Sequence, residues 1–269
     1  MPKSRRQKQT LASFDYQWGN LPEGHALLSD PKFAERVPDI LSTQELCIGR
    51  EWFPSRQVLD AGCGGGRWTK GLLDLGCNVT AMDYSSSACA SVAERFSGLP
   101  NLRIVQGDVL APPPEVADRQ YDLVFCWGVL HHTGDVRGGM MALSELVAPE
   151  GLMYLYLYGR ESFSAKTRLS VALKRAILRP LPFRAKKAVL SMLVGEESAH
   201  LSFDLLSPAI NERYTFDEAS AWLTEAGLPV VERTIDHTEL FIRAHRTECS
   251  AEAFFLPPPS PPYWFQEIA

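Results

Sequence analysis

No C-x-x-C pair occurs in this sequence. Its six cysteines (Cys47, Cys63, Cys77, Cys89, Cys126 and Cys249) are scattered along 269 residues. That spacing argues against zinc or iron–sulfur ligation and against a disulfide framework. No apolar run reaches the length of a membrane span, and no signal peptide is evident. The expectation is a reduced, cytoplasmic protein. A net charge of −5 provides no global polycation, and no RNA-binding module is appended, so no nucleic-acid partner is expected. The Gly-Lys-Ser/Thr of a phosphate-cradling loop is also missing. A dinucleotide fingerprint fails on one residue. Counted from Gly62 and Gly64, its third fixed position falls on Arg67, where that fold needs glycine or alanine. A nicotinamide-dependent oxidoreductase is therefore disfavoured.

What is present is a strand-to-helix turn. Val58-Leu59-Asp60-Ala61-Gly62-Cys63-Gly64-Gly65-Gly66-Arg67-Trp68 runs from apolar residues through an acid into glycines and then a helical pattern. Glycines at such a turn let backbone approach a ligand closely. The free N–H groups of the helix start favour an anionic group on that ligand. From Arg56 onward the rhythm is strand, helix, strand, helix, which predicts a parallel sheet. Strands are expected at 57–61, 78–82, 102–106, 121–126 and 152–157, the last opened by Gly151, with a closing pair at 230–233 and 240–244. With 45% apolar and 22% charged residues, the chain suffices for one large α/β domain with an insertion, and its core needs no staples.

Five segments follow. Residues 1–54 form an N-terminal helical and aromatic cap whose first ten, polar and basic, are expected to be disordered at the start. Pro38 interrupts a helical pattern over 32–52. Residues 55–158 hold the glycine turn and five strands, and 159–213 break the rhythm with two helices over 163–195. In the first of these, Leu169, Leu173 and Ile177 make one apolar stripe. Residues 214–246 resume the domain at Thr215, with Glu218 three positions on as a capping box. Residues 247–269 are an irregular tail with five prolines in 257–262, whose aromatics are expected to dock.

Asp-x-Gly-x-Gly-x-Gly on Asp60, Gly62, Gly64 and Gly66 resembles the first motif of class I S-adenosylmethionine-dependent methyltransferases. The likeness covers roughly residues 55–160 and 215–246 and is of the small-molecule, type 11/12 kind. It implies a Rossmann-like α/β sheet, mostly parallel with an antiparallel last strand, over which the 159–213 insertion is read as a helical lid covering the carboxyl ends of the strands. It also implies S-adenosyl-L-methionine as cofactor. Three acids in register with the turn support it, because an open α/β sheet binds its ligand across the carboxyl ends of the strands. Asp60 is placed to receive the cofactor's ammonium through water or backbone. Asp83 ends the second strand, where a carboxylate accepts from vicinal ribose hydroxyls. Asp108 ends the third and would accept from the adenine amino group, with the Val109 N–H facing a ring nitrogen. Cys63, Tyr84, Cys126 and Trp127 complete the expected cofactor neighbours.

Methyl transfer is an in-line displacement, favoured by alignment and exclusion of water. A general base is needed only where the acceptor holds its proton. His131 and His132, after the fourth strand, are the candidates. The competing reading has one imidazole on cofactor or backbone and the other packed. The resemblance also implies no metal dependence, since the metal-using ubiquinone-biosynthesis enzymes carry glutamates in this turn where Gly128 and His131 stand here.

The acceptor, a small organic molecule, is expected among Tyr16, Trp18, Tyr158, Arg160 and Tyr214. The aromatics Phe14, Tyr16 and Trp18 suit either a lid or core packing. Nine basic residues and one acid, Glu161, lie between Arg160 and Lys187. They permit an anionic acceptor, peripheral docking on anionic lipid, or a solvated face. A non-catalytic S-adenosylmethionine-binding partner protein is the alternative from another functional class.

Overall fold

The computed structural model describes residues 3–21 and 30–266. Seven strands form one sheet: β1 (Gln57–Ala61), β2 (Asn78–Asp83), β3 (Leu102–Gln106), β4 (Tyr121–Trp127), β5 (Val147–Leu157), β6 (Val230–Arg233) and β7 (Leu240–His245). Their order is β3-β2-β1-β4-β5-β7-β6. β1 to β5 pair in parallel, and β7 runs antiparallel to both of its neighbours. The chain thus has the expected mostly parallel sheet with an antiparallel last strand. Strand order reverses between β1 and β4, which opens the crevice where α/β sheets bind ligands.

Successive side chains of a strand point to opposite faces, so a central strand must be apolar on both. β1 shows this directly. Val58 packs into the core on one face, with Trp68, Leu72 and Phe125. Leu59 and Ala61 enter the other, with Met140, Leu143 and Leu155. β5 begins at Val147, ahead of the expected Gly151, and its pairing with β4 shifts register between Tyr121 and Leu123.

Two segments depart from expectation, and a third adds to it. The polar start is ordered as a helix, Arg5–Asn20, because Ser4 and Gln7 form a reciprocal capping box that satisfies two otherwise orphaned N–H donors. Past Pro38 the helix Pro31–Asp39 widens into a π-helix, Ile40–Leu46. The missing proline N–H and the ring's clash with the preceding turn account for the change. The insertion holds the two helices expected over 163–195, Ala165–Leu178 and Phe183–Val194, and a third beyond them, Glu196–Leu206.

The insertion and the N-terminal helix share a satellite core. Leu21, Leu178, Leu190 and Phe203 are its buried members, with Tyr16 against them. The tail is anchored too: Tyr263 and Trp264 are buried. No helix among the described residues is long and apolar enough to cross a membrane.

Candidate active site

The turn after β1 requires glycine at Gly62, Gly64 and Gly66, with φ of +88°, +50° and +88°, a region side chains rarely adopt. Space is as restrictive as conformation. A Cβ on Gly62 would stand 2.2 Å from Val129, and one on Gly64 2.5 Å from the Trp18 ring. The turn is pinned by its own donors. Gly62 and Cys63 N–H reach the Met82 carbonyl at 2.6 and 3.0 Å. The Gly64 N–H reaches an Asp83 carboxylate oxygen at 2.9 Å.

Asp83 accepts a second backbone bond from Ser85 N–H at 2.8 Å. Each carboxylate oxygen therefore keeps lone-pair capacity. Burial raises the Asp83 pKa, against the pull of these backbone donors. Asp108 accepts from Leu110 N–H at 3.1 Å and pairs with Lys3, whose ammonium also lies 4.8 Å from the Tyr84 ring centroid.

Beside this turn lies a cavity of about 260 Å³. Gly62, Cys63, Gly64, Asp83, Tyr84, Asp108, Val109 and Trp127 border it. Asp60, Gly66 and Cys126 do not border it. Asp60 is buried and accepts the Thr69 hydroxyl at 2.6 Å, so its carboxylate fixes the start of the helix Arg67–Asp74. Burial pushes its pKa up to about 7, opposed by the Thr69 hydrogen bond. Cys126 is buried in the sheet core.

Trp18 and His132 border the same cavity, together with Phe14, Gln17, His200 and Asp204 from the two helical segments that roof it. Tyr16, His131, Tyr158, Arg160 and Tyr214 stand behind or away from it. Tyr16 stacks between Phe183 and Phe203. The Tyr158 hydroxyl donates to Asp204 at 2.8 Å. Arg160 pairs with Glu218 at 2.9 Å, and the Tyr214 hydroxyl donates to Glu212 at 2.7 Å.

The two histidines differ. His131 is fully buried, stacks on Tyr158 at 3.8 Å between centroids, and neither ring nitrogen has a partner. His132 Nδ1 lies 2.9 Å from the Ile210 carbonyl. A carbonyl only accepts, so Nδ1 carries the proton and Nε2 is the lone-pair nitrogen. That Nε2 is buried without a partner. Burial lowers both histidine pKa values. Next in order, His131 feels a further lowering from His132, and His132 an opposing pull from Asp204.

Sequence reasoning missed Lys3, Gln17, Arg67, Asp204 and Glu45. Arg67 was read for the fingerprint it breaks and not for where its side chain goes. Asp204 lies in Phe203-Asp204-Leu205-Leu206-Ser207-Pro208, ahead of the helix capped by Thr215. Glu45 carried no local signal.

The cavity suits a ligand with a nucleoside and an amino-acid end. Two carboxylates, Asp83 and Asp108, suit hydroxyl and amino donors. Gly62, Cys63, Gly64 and Gly65 of the turn border the same cavity, beside Val129 and Trp18.

Residues 59–153 match a family model described as a methyltransferase domain. The mitochondrial ubiquinone biosynthesis O-methyltransferase of Schizosaccharomyces pombe is 30% identical over 138 residues, 49% of this chain and 48% of that protein. The ubiquinone biosynthesis O-methyltransferase of Erwinia tasmaniensis is 36% identical over 114 residues, 40% of this chain and 45% of that protein. The chain thus spans about half the length of these curated relatives. In fold it resembles the Haloferax volcanii complex between the Trm112 methyltransferase activator and a putative methyltransferase. The TM-score is 0.53 at 16% identity, covering 82% of this chain and 77% of that one. A putative methyltransferase from Bacillus halodurans is similar at a TM-score of 0.50 and 15% identity, covering 74% and 71%.

Proposed function

We infer that this chain, whose residues 59–153 match a methyltransferase-domain model, is an S-adenosylmethionine-dependent methyltransferase acting on a small organic acceptor. In this reading Asp83 accepts from the ribose hydroxyls, and Asp108 and Val109 meet the adenine. The backbone of Gly62 and Gly64 passes along the amino-acid end. The cofactor, when bound, supplies an electrophilic methyl group. The chain's residues bind and orient the partners, keep water out and handle one proton.

The observation that carries the reading is the buried, unpartnered Nε2 of His132, a residue that borders the cavity that the glycine turn and Asp83 also border. Burial keeps the imidazole neutral, so Nε2 is ready to take a proton from an acceptor hydroxyl as its oxygen is methylated. Phe14, edge-on to His132 at 4.8 Å, and Trp18 offer aromatic surface to that acceptor. An O-methyltransferase acting on a phenol-like hydroxyl is the reading supported best. Transfer of labelled methyl from S-adenosylmethionine to a panel of small phenols tests it. No incorporation across phenols, with incorporation into amines, would move the reading to nitrogen.

The anionic-acceptor expectation draws no support from the insertion. None of its nine basic residues borders the cavity. Arg175 donates to the carbonyls of Leu205 and Pro208, and Lys186 is buried. Peripheral contact with anionic lipid is better supported. Leu169, Leu173 and Ile177 are 73%, 61% and 63% exposed on one helix. Exposed Lys166, Arg168, Lys174 and Arg179 lie beside them, the composition of an interfacial helix.

A further inference from the structure

Arg67 is the first residue of the helix after the glycine turn, and its side chain borders the cavity. None of its five N–H donors is hydrogen-bonded to a described residue, and no described carboxylate lies within ion-pair distance. Its Nε is buried without a partner. What surrounds the guanidinium is aromatic. Its Cζ lies 4.6 Å from the Trp68 ring, 4.7 Å from Trp127 and 5.3 Å from Trp264.

Those faces attract the charge but accept no hydrogen bond in the plane of the fork. Glu45, under the same tryptophans, is already occupied. It accepts from Tyr154 Oη at 2.5 Å, Trp264 Nε1 at 2.6 Å and Trp127 Nε1 at 3.0 Å. The glutamate thus fixes two of the three rings, and the rings fix the arginine. A desolvated arginine with open donors at a cavity wall is costly unless a ligand completes it.

We propose that Arg67 receives the carboxylate of the cofactor's amino-acid end. The inference rests on the cofactor reading above and assigns the residue that reads that end. The cavity lining carries side chains of both signs. Asp83 and Asp108 meet hydroxyl and amino donors, while Arg67, beside Gly62, Gly64 and Trp127, presents a planar fork that matches a carboxylate in bidentate fashion. A ligand with a nucleoside at one end and a carboxylate at the other satisfies both.

The test compares two ligands. S-Adenosylhomocysteine carries the carboxylate, and 5′-methylthioadenosine is the same nucleoside thioether without the amino-acid end. Calorimetric titration of the full chain and of Arg67→Met is expected to show S-adenosylhomocysteine weakened at least tenfold by the substitution. Methylthioadenosine should stay within about twofold. Equal weakening of both would assign Arg67 a purely structural role and overturn the proposal. No weakening of either would overturn it too, and would return Arg67 to an acceptor carboxylate or to none.

Where Arg67→Met fails to fold, the unaltered chain still decides. Replacing the carboxylate of S-adenosylhomocysteine by its carboxamide should weaken binding at least tenfold, and unchanged affinity overturns the proposal. Failure of the unaltered chain to bind either thioether would overturn the cofactor reading itself, an outcome distinct from a failure confined to Arg67.

Discussion

His132 donates its Nδ1 hydrogen to the Ile210 carbonyl at 2.9 Å, which leaves Nε2 buried and unpartnered in a residue that borders the cavity. Ile210 lies at the end of the insertion, so the lid fixes the tautomer of a residue that follows β4. Replacing His132 with glutamine should slow turnover about 10²–10⁴-fold, the usual share of general-base catalysis, with cofactor affinity retained. The pH profile adds a signature. Because burial lowers the His132 pKa below 6.5, neutral imidazole persists as pH falls. The rate should stay level from pH 8 to 6.5 and drop only below that. Initial rates across pH check both points, and a profile unchanged in His132→Gln would remove the base.

Gly62 is the tightest point of the turn. Gly62→Ala would hold a side chain at φ +88° with its Cβ 2.2 Å from Val129. Backbone strain of this kind costs about 1–3 kcal/mol, and overpacking adds to it. Urea denaturation should show a loss of that order. Adding Val129→Ala should recover the packing part and leave the backbone part. Full recovery in the double variant would mean that the conformation costs nothing.

Asp60 makes a pH-dependent contribution. Its folded pKa is about 7, raised from 3.8, so between those values the folded chain holds a proton that the unfolded chain has released. Stability from this group is present at low pH and lost as pH rises toward 7. Relative to Asp60→Asn, the protein should therefore lose stability as pH rises from 4 to 7. Melting temperatures of both proteins across that range test the sign. A difference that is flat with pH would contradict the raised pKa.

How much of this was legible in the sequence depends on whether the signal is local. β1 to β4 were readable because short apolar runs bounded by turn residues have few other uses in a chain of this rhythm. Asp83 and Asp108 were readable because a strand end is a position that sequence can mark. The N-terminal helix was not readable as such, because its inward face is polar. Thr10, Ser13 and Gln17 are its buried residues. Two of them face loop groups and the third a helix: Thr10 accepts from Ile210 N–H at 3.0 Å, Ser13 donates to Ser207 at 2.8 Å, and Gln17 meets His200. Apolar periodicity cannot detect such a face. The Glu45–Arg67–Trp127–Tyr154–Trp264 cluster draws on five separate parts of the chain, so no window contains its pattern.

The exposed stripe of the insertion gives a lipid prediction. Leu169, Leu173 and Ile177 should carry the protein onto vesicles that contain anionic phospholipid, and far less onto zwitterionic ones. Leu173→Glu should abolish cosedimentation without altering cofactor affinity. Equal binding to both vesicle types would refute the electrostatic part. Self-association through this helix, detected by sedimentation velocity and lost in the same variant, would reassign the face to a second copy of the chain.

Calorimetric titration with S-adenosylmethionine, run on the unaltered protein and on Asp83→Ala, bears most directly on the central claim. Saturable heat is expected for the former. The substitution should weaken binding by about 1–3 kcal/mol through lost charge-assisted hydrogen bonds. Absence of heat at millimolar cofactor, or an affinity indifferent to Asp83, would contradict the account.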